Sequence, residues 1–214
     1  MADEPPNAEP LLVRAATGDA AAWGELIAAH QERLTRMVAF RMDPRLRGRI
    51  DASDVVQEAF VEASAHSENY FRMAPLPIFL WLRGVVGNKL LEVHRHHLGT
   101  HMRDAKRELS LDPSHASGDT STALCAHLTA GLTRPSVAAM RREVETRLAE
   151  ALKGMNPTDR EVLALRHFEQ LSNAEAAQVL NIEERAAAKR YLRALERLKN
   201  ILSEMPGGLT EVRL

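Results

Sequence analysis

The 214-residue chain has one cysteine, Cys125, so it can form no intrachain disulfide and offers no thiolate cluster to a zinc ion. Aromatic residues make up only 4% of it, which leaves aliphatic side chains to build any core. No stretch approaches the roughly 18 consecutive apolar residues that a membrane-spanning helix needs. The opening MADEPPNAEP is acidic and proline-rich, without the basic start or apolar run of a secretory signal. A cytoplasmic chain with no membrane insertion is therefore expected. A glycine-rich phosphate loop, a nucleophile elbow and a recognisable carboxylate pair are also missing, so neither an enzyme nor a cofactor is expected. The net charge of -1 excludes nothing by itself, because the charges are unevenly placed.

What is present is helical texture. Alanine and leucine dominate, and β-branched runs are few. Leu11, Leu12, Trp23, Leu26, Ile27, Leu34, Val38 and Phe40 recur at helical spacing, with Gly18-Asp19 separating a short first helix from a longer second one. DASDVVQEAFVEA (51–63) opens another helix, capped by Asp51 or Ser53, with Val55, Val56, Ala59, Phe60 and Ala63 on one side. NYFRMAPLPIF (69–79) carries two prolines in three residues and reads as a loop. Helical pattern resumes from Ile78 to about Lys106, tolerating Gly84 and Gly87. From about Glu108 the texture turns polar and turn-forming, as in SLDPSHASGDTST. The expected fold is all-α, with two small helical domains at 11–107 and 141–205. A flexible linker at 108–140 joins them, an extension covers 1–10, and a tail covers 206–214.

The second domain carries a nucleic-acid signature. Asn156-Pro157 is an N-cap followed by proline in the first turn, and Ser172-x-x-Glu175 is a capping box. Asn181-Ile182 ends that helix and Glu183-Glu184 opens the last one, giving helix, short turn, helix. On the last helix Ala188, Tyr191, Leu192, Leu195, Leu198 and Leu202 are expected to face inward, with Lys189, Arg190, Arg193 and Arg197 opposite. Six basic residues against Glu196 give +5 between Arg185 and Lys199. Such a ridge can be a solvated face, but after a helix-turn-helix it suits phosphates and the major groove.

In the first domain the DVVQEAF helix turns Asp54, Gln57 and Glu58 outward. The following FLWLRGVVGNKLLEVHRHH is basic: from Arg83 to Arg107, six Lys and Arg stand against Glu92 and Asp104, giving +4. In order and spacing, DVVQEAF, FLWLRGVVGNKL, a linker and MNPTDREVLALRHFEQLSNAEAAQVLNI together resemble the extracytoplasmic-function group of bacterial sigma factors. The resemblance covers roughly Leu11–Lys106 and Arg141–Leu202.

That resemblance implies a promoter-specificity subunit whose partners are core RNA polymerase and duplex and single-stranded promoter DNA. An anti-sigma protein or other regulator is a further candidate partner. It assigns Asp54, Gln57 and Glu58 to polymerase docking. Trp81, Asn88, Lys89 and the preceding loop fall to minus-ten recognition and melting, and the last helix to the minus-thirty-five element. A melted strand needs stacking surfaces and a cationic track, for which Tyr70, Phe71 and Trp81 with Arg83, Lys89 and Arg95 are the candidates. Trp81 can equally be core. Asn88 has the donor and acceptor to read a base edge. Arg185, Lys189, Arg190, Arg193 and Arg197 are the candidates on the last helix, and of these Arg190 and Arg193 match the family's basic positions best. His94, His97 and His101 share a helical spacing that suits an ion, but no general base accompanies them, and no metal is expected. The alternative class is a stand-alone helix-turn-helix regulator with an N-terminal dimerisation or sensing domain, which has no need of the acidic helix.

Overall fold

The computed structural model describes residues 8–73, 76–98, 117–130 and 138–204. Among these every regular element is helical. The chain divides into two units, one of Met1–Met42 with Leu46–Glu108, the other of Asp43–Arg45 with Leu109–Leu214.

The first unit holds α1 (Ala8–Ala16), α2 (Ala20–Ala28), α3 (Gln31–Arg41), α4 (Ala52–Ala65), α5 (Ser67–Met73) and α6 (Ile78–Leu98). Gly18, at φ +93°, makes the turn after α1, and Asp19 caps α2 by accepting from the amides of Ala21 and Ala22 at 3.0 Å. The expected longer second helix is two helices, because the chain turns at Ala29-His30 before α3. Asp51 is the cap of α4, its carboxylate accepting from the Ser53 amide at 2.8 Å. Those hydrogen bonds hold the Asp19 and Asp51 carboxyls below their ordinary range. The α4 helix packs on α3 and α6, and Leu26, Leu34, Val38, Val56, Leu82 and Val86 are wholly buried. This is the aliphatic core that the composition demands.

A further expectation gives way here. The segment around Tyr70 and Phe71 is helical, as the last part of α5, and not loop. Proline restricts the residue before it, so Pro75 and Pro77 leave the turns up to Met73 free to coil. Helix α6 then runs unbroken through Gly84 and Gly87.

The second unit holds α7 (Ser117–Ala130), α8 (Ala138–Lys153), α9 (Pro157–Leu163), α10 (Asn173–Leu180) and α11 (Glu184–Ser203). A π-helical turn at Ala164–Phe168 prolongs α9. The linker read at 108–140 thus contains a helix of fourteen residues, α7, which packs on α8 and α9 and buries Ala123, Leu124 and Leu128. Thr120 donates to Glu161 Oε2 at 2.7 Å within that contact. Its apolar positions are too sparse and its first turn too polar for the sequence pattern to mark a helix, so tertiary packing decides it. Residues 108–116 and 131–137, the tail from 205 and the first seven residues lie outside the described residues.

Charged groups also sit inside this unit. Arg160 is buried and donates through one nitrogen to the carbonyls of Leu152, Lys153 and Met155 at 2.9, 3.2 and 2.6 Å. It therefore satisfies the last carbonyls of α8, which a helix end otherwise leaves unpaired. Burial pulls its guanidinium below the ordinary value, opposed by the neighbouring Glu161. His167, in the π turn, is likewise lowered by burial.

Candidate functional site

The first candidate surface is the outer face of α4. Asp54, Gln57 and Glu58 are all exposed on it, as an i, i+3, i+4 set must be when Val55, Val56, Ala59 and Phe60 are buried. Val61 completes the set at i+7 and is 73% exposed. Its apolar character hid it from a reading that looked for charge, although the same helical count reaches it. An apolar residue beside acidic ones is the composition of an interface anchor with a polar surround.

Glu58 has a neighbour that the sequence could not supply. Lys89 on α6 places its Nζ 3.1 Å from Glu58 Oε2 and 3.3 Å from Glu92 Oε2. The lysine side chain is 18% exposed, and both carboxylates are 63% exposed. The hydrogen bond that Lys89 donates to Glu58, then the one it donates to Glu92, raises its ammonium above its ordinary value. Lys89, expected on a DNA-facing track, is here a bridge between α4 and α6.

The second candidate surface surrounds the start of α6. Trp23, Tyr70, Phe71 and Trp81 form one aromatic cluster. Ring centroids lie 5.1 Å apart for Tyr70–Phe71, 5.2 Å for Tyr70–Trp81, 5.8 Å for Trp23–Phe71 and 6.0 Å for Trp23–Trp81. Trp23 donates from Nε1 to Ser64 Oγ at 3.1 Å, tying the cluster to α4. Tyr70 is buried, so it supports the other rings and offers no stacking face. Phe71 and Trp81 are half-buried, and Trp81 thereby joins both of its alternatives, one side packed and one side open. Arg83 is half-buried, while Asn88 and Arg95 are exposed. Of the histidines, His94 is buried and His96 and His97 are exposed, so His94 and His97 do not present to one side. His101 lies outside the described residues.

The third surface is α11. The capping box that starts α10 is complete: the Ser172 amide donates to Glu175 Oε2 at 2.7 Å and the Glu175 amide to Ser172 Oγ at 3.1 Å. Asn181 ends α10 in the left-handed region at φ +50°, and three residues later α11 begins. Its buried line is Ala187, Ala194, Leu198 and Leu202, with Ala188, Tyr191 and Leu195 half-buried. Leu192, expected inward, is instead 66% exposed. The inward line takes in two alanines as well as two leucines where α11 packs on α9 and α10, a choice that residue hydrophobicity alone does not predict.

The five cations expected to act together also separate. Arg190 Nη1 pairs with Asp159 Oδ1 on α9 at 3.2 Å, and Arg197 Nη2 donates to the Gly154 carbonyl at 3.1 Å. Both pin α11 to the helices behind it. Arg185, Lys189 and Arg193 remain exposed, and Arg193 turns its Nε back to the Lys189 carbonyl of its own helix at 3.4 Å. The outer face of α11 therefore presents Arg185, Lys189, Leu192 and Arg193, with Glu196 at its far end.

Comparison with known proteins finds relatives of this chain. Residues 145–198, which hold α9, α10 and most of α11, match the family model described as Sigma-70, region 4. A relative of Alcaligenes xylosoxydans xylosoxydans, the RNA polymerase sigma factor NccH, is 24% identical over 204 residues, covering 93% of this chain and 96% of its own length. Among solved structures, CnrH in complex with the cytosolic domain of CnrY is similar at a TM-score of 0.50 and 24% identity, covering 92% of this chain and 97% of that one. The likeness to CnrH bears on the fold of both units, and that to NccH runs through both.

Proposed function

We infer that this chain, a sigma factor of the extracytoplasmic-function group, binds bacterial core RNA polymerase and directs it to promoters through three separate surfaces. The observation that carries the reading is the pairing of a sequence match with a surface. The segment matching Sigma-70 region 4 holds a helix-turn-helix whose second helix turns Arg185, Lys189 and Arg193 outward. That helix takes the minus-thirty-five duplex in its major groove. The face of Asp54, Gln57, Glu58 and Val61 docks on polymerase, its acidic residues calling for a cationic partner surface around one apolar anchor. Phe71, Trp81, Asn88 and Arg95 meet the minus-ten element, stacking and reading the separated strand. Lys89 supports the docking face through Glu58, and Arg190 and Arg197 hold the recognition helix in place.

Being a sigma subunit, the chain contributes binding and positioning, and the polymerase supplies catalysis. CnrH is known in complex with the cytosolic domain of CnrY; by analogy a protein that sequesters this chain from polymerase is its natural antagonist. The test is reconstitution. The purified chain mixed with bacterial core polymerase should co-elute with it, and the complex should start transcripts at defined positions on genomic DNA of the source organism. Sequence-specific duplex binding by the chain alone, with no co-elution, would favour the stand-alone regulator.

A further inference from the structure

Among the described residues three large apolar side chains are exposed: Val13, Val61 and Leu192. Only Leu192 stands on a face whose other long side chains are mainly cationic. It lies seven residues after Arg185 and three after Lys189, hence within about 40° to either side of one line down the helix, at roughly 100° per residue. Arg193 is its immediate neighbour, and Ala187, Ala194 and Leu198, on the far side, are buried. The leucine is therefore at one edge of the outward face, with Arg185, Lys189 and Arg193 about 20°, 60° and 100° to one side of it and Glu196 among them.

A lone exposed leucine is ordinary on a protein surface, so it is the setting of Leu192 beside cations that selects an occupant. The occupant of the face has to satisfy cations and one aliphatic group together. Duplex DNA does so: phosphates line both edges of the major groove, and the only apolar group on its floor is the C5 methyl of thymine. Side chains on a helix lean toward its N-terminus, so Leu192 covers the turn nearer Lys189, which is the end expected to enter the groove. Arg185 and Leu192 are about 10 Å apart along the axis at 1.5 Å per residue, a span the groove can hold.

We propose that Leu192 is a specificity-determining residue that reads a thymine methyl in the minus-thirty-five element. Arg185, Lys189 and Arg193 supply phosphate or base-edge contacts beside it. This rests on the function proposed above. A carboxylate at this position would favour the N4 amine of cytosine, whereas leucine gains only from the thymine methyl. Burying one such group is worth about a fourfold change in affinity.

The experiment uses the full chain with core polymerase. Duplexes are selected from a pool randomised over the minus-thirty-five region, and each selected thymine is then replaced by deoxyuridine, which lacks only the methyl. The wild type should lose about fourfold at one thymine, or at two adjacent ones. Leu192→Ala should bind the thymine duplex about fourfold more weakly and be indifferent to the replacement, with unchanged helix content. A selected element without thymine, a silent uracil series, or a uracil effect that persists in Leu192→Ala would overturn the assignment. So would Leu192→Asp that loses core polymerase while keeping the DNA pattern, which would give the residue to a protein contact. Failure to bind core polymerase or to enrich any duplex would sink the sigma reading itself, and this inference with it.

Discussion

Removing the Arg190 side chain should reveal whether this cation reads DNA or holds the helix that does. Its single contact to Asp159 at 3.2 Å joins α11 to α9, with the two side chains 35% and 21% exposed. Exposed pairs are worth about 0.2–1 kcal/mol, and partial shielding places this one in the upper half, about 0.5–1 kcal/mol. Arg190→Ala should therefore lower the melting temperature of the second unit by about 2–8 °C. Asp159→Asn should cost more, about 1–2 kcal/mol, because Asp159 also lies in the first turn of α9 and favours the positive helix end. A double-mutant cycle measured by urea unfolding separates these effects and should return a coupling of about 0.5–1 kcal/mol. In duplex binding, Arg193→Ala should lose about 1–3 kcal/mol if it reaches base edges. Arg190→Ala should lose clearly less, through the helix it no longer braces. Zero coupling together with a binding loss equal to that of Arg193→Ala would refute the bracing argument and return Arg190 to the DNA.

Three further outcomes are expected. Val61→Asp and Glu58→Gln should each weaken core polymerase binding, the first about tenfold, while stability by thermal melt changes by no more than about 0.5 kcal/mol; unaffected binding would remove α4 from the docking surface. Thr120→Val should destabilise the second unit by about 1.5–3 kcal/mol in urea unfolding, since it deletes a buried hydrogen bond to a carboxylate, and a change below about 0.5 kcal/mol would make α7 a loosely held tether. His167 has its imidazole lowered by burial, so the unfolded chain takes up that proton first. Stability of the second unit should therefore fall as pH drops below about 6.5, and His167→Gln should remove this slope. The lowered carboxyls of Asp19 and Asp51 act in a separate window, their contribution persisting until pH falls below their ordinary value near 3.8.

Whatever depends on neighbours in the chain was determined by sequence alone. The Ser172–Glu175 box and the Asn156-Pro157 start are each satisfied within three residues, so residue identity suffices, whereas the cap of α4 stood open between Asp51 and Ser53 until the structure chose Asp51. The outward set on α4 follows from helical periodicity, because Val55, Val56, Ala59 and Phe60 leave only one way to turn the helix. The helix-turn-helix and the resemblance to sigma factors rest on the same local order.

Tertiary structure decided which side chains are already engaged. Arg190 and Arg193 look alike in the sequence, yet only the first meets a carboxylate 31 residues away. Arg197 finds a carbonyl 43 residues away, and Lys89 finds Glu58 on another helix. Tyr70 and Phe71 are adjacent aromatics, one buried and the other half-open, according to how α5 lies against Trp23 and Trp81. Helix α7 exists because α8 and α9 cover its few apolar residues, and Leu192 is exposed because the buried side of α11 runs through Ala187, Ala194, Leu198 and Leu202. Each of these turns on a distance across the fold, which local pattern does not encode because it is set only when packing brings separate helices together.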